Sequence, residues 1–255
     1  GFIGEPVQGS GGVIIPPDSY WPEVQRICDR YGILLISDEV ICGFGRTGQW
    51  FGCEHYGTRP DLMSMAKALS SGYLPIGGVM VGERVARTLI AKGGEFGHGF
   101  TYSGHPVCAA VALANLQIIQ RENLVEHVRN TAGPYLQRRW AKLASHPLVG
   151  EARGVGLLGA LELVKAKNSS NPGEPASAPY GAPVPGHTWF EPRGKVGERC
   201  RDNAIANGLV MRATRDTMII APPLVITTAE IDELIEKAWR TLDMTVAGLK
   251  RDGWL

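Results

Sequence analysis

Ile33-Leu34-Leu35-Ile36-Ser37-Asp38 and Asp61-Leu62-Met63-Ser64-Met65-Ala66-Lys67 are two short apolar runs, and each delivers a chemically active side chain at its C-terminal end. Their length and the turn residues around them predict buried strands. Ligands of open α/β sheets collect outside the carboxyl ends of the strands, so Asp38 and Lys67 are placed to meet over one small molecule. The neighbouring sequence extends the pattern. Phe2-Ile3 reads as a strand ending in the loop Gly4 to Gly12, and Asp18 or Ser19 caps a helix running to about Tyr31 and stopped by Gly32. Trp21, Val24, Ile27 and Cys28 share one face of that helix. A strand at Val79-Met80-Val81 and a helix near 83–92 follow, so the fold class is α/β, a mostly parallel sheet covered by helices.

Beyond the turn-rich stretch Gly93 to Gly104, helical patterns run from Pro106 to about Gln120 and from Leu124 to Ala144, the second bent at Gly133-Pro134. A smaller α+β unit comes next: strands within Val155 to Val164, a helix Val196 to Asn207 ended by Gly208, a hairpin of Leu209 to Arg212 with Met218 to Ile220, and a closing amphipathic helix Thr228 to Ala247. Asn168 to Pro192, rich in Pro, Gly, Ser and Ala, reads as a surface loop. We therefore expect a large ligand-binding domain over 1–120 and a small C-terminal domain over 121–255.

The chain has 255 residues, 44% hydrophobic and 20% charged, enough for a substantial core. With 26 basic and 25 acidic residues, its net charge of +1 carries no footprint for nucleic acid or an anionic membrane, and a small-molecule ligand is expected. Cys28, Cys42, Cys53, Cys108 and Cys200 show no metal-ligand spacing, which predicts no metal site and reduced thiols in a cytoplasmic protein. No apolar stretch reaches the length of a bilayer span. The start at Gly1, directly on a strand, is the reading of a fragment or processed segment.

Each motif has an ordinary alternative. Gly43-Phe44-Gly45-Arg46-Thr47-Gly48 matches GxGxxG, but no helical pattern opens behind it and the acids precede it, so a dinucleotide site is not expected. Asp38, at the end of a buried strand, needs a cationic partner; a pyridinium N–H or a structural Arg would serve. Val40, two residues on, would share its side of the strand and pack on a ring. Lys67, among small residues, is a solvated lysine or, in an apolar pocket, a Schiff-base nucleophile. An amine of that kind together with an acid on a pyridinium nitrogen is the pair that pyridoxal-phosphate chemistry requires. Phe100-Thr101-Tyr102-Ser103-Gly104-His105-Pro106 precedes a helix N-terminus and reads either as a phosphate site or as a plain cap. Arg212, at a strand end, is a carboxylate-binding guanidinium or a surface turn residue.

Taken together, Glu5-Pro6-Val7-Gln8-Gly9, Ser37 to Gly48, Ala66-Lys67-Ala68-Leu69, Phe100 to Pro106 and Ala221-Pro222-Pro223-Leu224 closely resemble the class III aminotransferases of pyridoxal-phosphate (PLP) fold type I, most of all the putrescine–pyruvate and ω-amino-acid–pyruvate branch. The resemblance implies PLP as cofactor, Lys67 as the catalytic lysine that carries it and shuttles the proton, Asp38 on the ring nitrogen and Val40 against the ring. It further implies Thr101 and the Phe100 backbone on the phosphate held by the neighbouring subunit, hence a homodimer or a tetramer of dimers. Arg212 would be a mobile substrate-binding arginine. The implied function is transfer of an amino group from a diamine or ω-amino acid to pyruvate or another keto acid; an aminomutase of the same fold and an inactive truncated chain are the alternatives.

Three positions depart from the family pattern. Ornithine and GABA enzymes carry a glutamate where this chain has Ser10 and an arginine where it has Ile219-Ile220, and both absences favour the amine branch. Arg215 stands where the family has Gly, so a turn requiring positive φ would be strained by about 1 kcal/mol. Family members also extend upstream of Gly1, with a Gly-Ser phosphate loop and an aromatic residue over the ring, so an incomplete site is expected.

Overall fold

β1 (Phe2–Gly4), β2 (Leu35–Asp38) and β3 (Leu62–Met65) run parallel, and β4 (Gly78–Val81) joins β3 antiparallel, in the order β1-β2-β3-β4. The computed structural model describes residues 1–167 and 187–255, which divide into two units: Gly1–Val7 with Pro16–Glu126, and Gln8–Ile15 with His127–Leu255. The expected boundary at 121 thus falls after Glu126, and a segment from the start of the chain belongs with the C-terminal unit.

In the first unit α1 (Tyr20–Tyr31) links β1 to β2 and buries Trp21 and Cys28 against Leu35. Ile27, expected on that face, is largely exposed. Ser19 occupies the N-cap position but makes no capping bond: its backbone is helical (φ −77°, ψ −18°) where a capping residue is extended, and Pro22 at N3 has no N–H. Gly32 ends the helix at φ 65°, as expected for a left-handed C-cap. α2 (Gly52–His55) is one short turn, α3 (Glu83–Lys92) follows β4, and α4 (Pro106–Arg121) buries only Ala112 and Ile119.

In the second unit the expected helix from Leu124 becomes α5 (Leu124–His127), a π-helical turn (Val128–Ala132) and α6 (Gly133–Ala141). Pro134 cannot donate to the carbonyl four residues back, and the ladder widens just before it: the Gly133 N–H reaches Val128 O. β5 (Val149–Val155) and β6 (Leu158–Leu163) pair antiparallel, and with β9 (Arg212–Thr214) and β10 (Thr217–Ile220) form a second sheet in the order β5-β6-β10-β9. Strand β5 starts six residues earlier than the expected Val155, since Glu151 and Arg153 interrupt its apolar pattern. The hairpin is shifted as well: Leu209–Met211 are not strand, and β9 and β10 flank a tight turn at Arg215-Asp216 with Arg215 at φ 53°. Of the expected loop over 168–192, residues 168–186 lie outside the described residues, while β8 (His187–Thr188) pairs with β7 (Ala166–Lys167).

α7 (Lys195–Ala206) and α8 (Thr228–Arg251) pack on this sheet around Leu136, Trp140, Leu161, Met218 and Ile231. Thr227 and Glu230 form a reciprocal capping box at the start of α8, with Glu230 N donating to Thr227 Oγ1 at 3.2 Å and Thr227 N to Glu230 Oε2 at 2.8 Å. The helix passes the expected stop at Ala247, because Gly248 stays helical and Gly253, at φ 72°, ends the turn instead. No described helix is long and apolar enough to cross a membrane, and no group of His, Cys, Asp and Glu among the described residues could hold a metal.

Candidate active site

Asp38 is the last residue of β2 and pairs in register with Ser64 on β3, whose chain turns two residues later into Lys67. Adjacent parallel strands therefore release both side chains at the same edge of the sheet, as the two apolar runs predicted. The carboxylate is fixed: Ser64 Oγ donates to Asp38 Oδ1 at 3.0 Å and Val40 N donates to the same oxygen at 3.1 Å. Both bonds fall on Oδ1, so a cationic N–H of a ligand would find Oδ2. Strand alternation does not carry Val40 as expected, because β2 stops at Asp38; Val40 instead lies in a turn whose N–H holds the acid.

Lys67 opens a 3-10 turn (Lys67–Leu69) with φ 45°, and its carbonyl accepts from Ser70 N and Gly72 N. A left-handed conformation is costly for a side-chain-bearing residue and is kept where the surroundings over-determine it. Asn115 on α4 provides that constraint, its Nδ2 donating to Ala68 O at 2.8 Å and Leu69 O at 3.1 Å while Ser71 Oγ donates to its Oδ1 at 2.7 Å. The apolar enclosure expected around Lys67 is not built by the described residues, for the lysine is exposed.

Glu39, beside Asp38, is fully buried and bonds the loop behind the site. It accepts from Gly52 N and Cys53 N at 2.7 Å each and from Ser37 Oγ at 2.9 Å. Burial pushes its carboxyl above the usual range, against the pull of these donors. Burial likewise pushes the thiols of Cys42 and Cys53 up to about 12, so both stay protonated, and all five cysteines are free. The glycine-rich run forms turns, with Phe44 at φ 60° and Gly45 at φ 97°, and α2 begins only at Gly52; no helix opens on it as a dinucleotide fingerprint requires.

Phe100 and Thr101 are exposed, ahead of α4. The Phe100 N–H, expected to be free for an anion, donates to Ser103 Oγ at 2.8 Å, and Ser103 N returns a bond to Phe100 O at 2.9 Å. Arg212 lies in the second unit at the start of β9, exposed and without an ion pair among the described residues.

Sequence reasoning passed over Ser64 and Asn115. Asn115 had a visible signal, the first amide after the apolar run Pro106–Ala114 of the helix. Ser64 had none until the strand register was known.

Comparison with known proteins bears on the whole chain. Residues 1–242 match the family model of class III aminotransferases. Putrescine–pyruvate aminotransferase of Pseudomonas aeruginosa is 54% identical over 248 residues, covering 97% of this chain and 50% of that protein. Diaminobutyrate–2-oxoglutarate transaminase of Halomonas elongata is 44% identical, covering 99% of this chain and 51% of the relative. A thermostable (S)-enantioselective omega-transaminase from Thermomicrobium roseum superposes with a TM-score of 0.85 at 44% identity, covering 96% of this chain and 50% of that one. The chain thus spans about half the length of the relatives it matches.

Proposed function

Since this chain belongs to the class III aminotransferases, we propose that it carries the cofactor-binding lysine and acid of a pyridoxal-phosphate transaminase that moves an amino group from a diamine or ω-amino acid to pyruvate or another keto acid. One observation carries the reading: an aspartate locked through one oxygen by Ser64 and Val40, on the strand beside the one that delivers Lys67. That donor set fits PLP. A carboxylate with one oxygen committed keeps the other for the ring N–H, and a lysine at the same sheet edge can take the aldehyde carbon.

PLP, when bound, supplies an electron sink for the substrate carbon and a carrier for the amino group. Asp38 would hold a proton on the ring nitrogen by its charge. Lys67 Nζ would hold the cofactor aldehyde and, as a free amine, serve as the base and acid that moves the proton of the substrate carbon bearing nitrogen. Asn115 keeps the lysine turn in its left-handed conformation, so the amine emerges where strand β3 ends. Thr101 Oγ1 would hold the phosphate of a neighbouring subunit, joined by the Phe100 backbone once its N–H gives up Ser103 Oγ, and the working form would be a homodimer or a tetramer of dimers. Val40 would pack against the ring, and Arg212 would receive the substrate carboxylate.

Asp38, Val40, Lys67, Phe100 and Thr101 all lie in the unit that carries β1–β4. The 54% identity to a putrescine–pyruvate enzyme supports a diamine as donor and polyamine metabolism as context. The test is formation of alanine from putrescine and pyruvate by the protein carrying this chain, with Lys67→Ala beside it. The variant should keep its fold, lose turnover, and lose the pyridoxyl label that borohydride fixes on the wild-type lysine. Alanine formation by Lys67→Ala would remove the central assignment.

A further inference from the structure

The loop Gln8–Ile15 belongs to the second unit, closed by the Gln8↔Ile14 bridge, and it is strained. Gly12 has φ 127° and Val13 follows at φ 52°, a conformation that a β-branched residue rarely adopts. Such a backbone persists only when its surroundings impose it. Gly12 N and Val13 N both donate to Gly9 O at 3.1 Å within the loop, and the constraint from outside it is one side chain from the middle of the chain. Arg153 on β5 donates from Nη2 to Gly12 O at 2.8 Å and from Nε to Gly12 O at 3.0 Å and Val13 O at 3.2 Å.

The guanidinium is itself fixed from behind. Its Nη1 reaches Glu151 at 2.8 Å and its Nη2 reaches Glu162 at 3.0 Å, while Thr217 Oγ1 donates to the same Glu162 oxygen at 2.8 Å. Gly12 fits under this arrangement because it lacks a side chain; a Cβ there would lie 3.2 Å from Arg153 Nη2.

What the loop carries is Ser10. Thr214 Oγ1 donates to Ser10 O at 3.2 Å, and Thr214 stands two residues after Arg212 on β9, so the two side chains leave the strand on the same face. The loop therefore lies on the side of β9 where the Arg212 side chain leaves the strand, without an ion pair among the described residues, and it carries the neutral Ser10 there. We infer that Arg153 is a positioning residue for substrate recognition: by clamping Gly12 and Val13 it holds the Ser10 segment beside Arg212 and shapes the place where a keto-acid carboxylate binds. The inference rests on the transaminase reading for the identity of the substrate, but the clamp itself does not.

The experiment compares Arg153→Met, Arg153→Lys and Thr214→Val with wild type in the full protein carrying this chain. Hydrogen exchange of the backbone amides from Gly9 to Ile14 reads the clamp, and steady-state kinetics with putrescine and pyruvate reads its consequence. Arg153→Met should exchange at least about tenfold faster in this loop and raise KM for pyruvate about tenfold, with kcat and the KM for putrescine moving less than about twofold. Arg153→Lys should recover part of both. Thr214→Val leaves Arg153 bonded and should raise the pyruvate KM about threefold alone. Equal losses with both substrates, or an unchanged pyruvate KM in Thr214→Val, would overturn the positioning role; that variant decides the matter even where Arg153→Met does not fold. If the wild-type protein uses neither pyruvate nor 2-oxoglutarate, the transaminase reading fails, and unchanged exchange in Arg153→Lys and Arg153→Met would separately sink the clamp.

Discussion

Gly197→Ala sets two physical effects against each other with opposite signs. Gly197 lies in the first turn of α7, where alanine should favour the helix by about 1 kcal/mol. A Cβ at Gly197, however, would stand 1.9 Å from Arg215 O, 2.9 Å from Arg215 C and 3.0 Å from Asp216 Cα, all backbone atoms that no rotamer change can move. Carbon and oxygen rarely approach within roughly 3.3 Å, so the helix and the β9–β10 turn must separate by roughly 1.4 Å. That shift breaks the bond from Gly197 N to Asp216 Oδ1, now 2.9 Å, and leaves a fully buried carboxylate with Gly194 N and Arg193 as its remaining partners. Overpacking costs about 1–3 kcal/mol and a lost hydrogen bond to a charged group about 1.5–3 kcal/mol. After the helix-propensity gain, the net destabilisation is about 1.5–5 kcal/mol, a fall in Tm on the order of 10 °C. Urea and thermal unfolding followed by circular dichroism measure it. Gly248→Ala is the control, because its Cβ would meet only the flexible end of Arg199 at 3.3 Å, and it should stay within about 1 kcal/mol of wild type. A Gly197→Ala protein that melts at or above wild type would refute the reasoning, since propensity would then have won and the approach of helix and turn would be looser than described.

Three further outcomes follow from the same geometry. Glu39→Gln presents an NH2 group where a carboxylate now accepts from Gly52 N or Cys53 N, and unfolding in urea should show a loss of about 1–3 kcal/mol at neutral pH. Arg215→Gly removes a side chain from a turn position at φ 53° and should stabilise by up to about 1 kcal/mol, read in the same assay. His146 is buried, with Nδ1 accepting from Leu148 N at 3.2 Å and Nε2 directed at Asp243 Oδ1 at 3.2 Å, and burial outweighs that carboxylate in lowering its pKa below 6.5. The unfolded chain then binds the proton more readily, so stability is fully present above pH 6.5 and falls as pH drops through the lowered folded value. His146→Gln should flatten this part of the stability–pH curve; an unchanged slope would assign it to other groups.

The meeting of the Asp38 and Lys67 segments at one end of the first sheet was largely legible in the residues. Two short apolar runs ending in Asp38 and Lys67 need only the parallel-sheet rule to bring them to one edge, and strands β2 and β3 end close to where the runs do. What stayed hidden depends on pairing across distance. The register that brings Ser64 to Asp38, the 46 or more residues between Asn115 and the carbonyls it supports, and the reach of Arg153 to Gly12 leave no local period or composition to read. Strand β5 was missed for a related reason. Its Glu151 and Arg153 look like loop residues until Glu162 and the carbonyls of Gly12 and Val13 are set opposite them. The turn at Arg215 is the converse case, a strain that the sequence raised as a condition and that the backbone meets at φ 53°.

The Arg153 clamp also has a meaning in time. Gly12 and Arg153 are 141 positions apart, so during synthesis at about 5–20 residues per second the loop leaves the ribosome roughly 7–28 seconds before its partner is made. Throughout that interval the Gln8–Ile15 segment has neither β5 nor β9 to rest on, and the nascent chain must keep it available while the strands around it form. A separately expressed 127–255 piece would meet the reverse difficulty, with Arg153 and Glu162 lacking the carbonyls they enclose. The second unit is therefore completed by a segment that precedes the rest of it by more than a hundred positions, and that completion is a long-range closure rather than a local one.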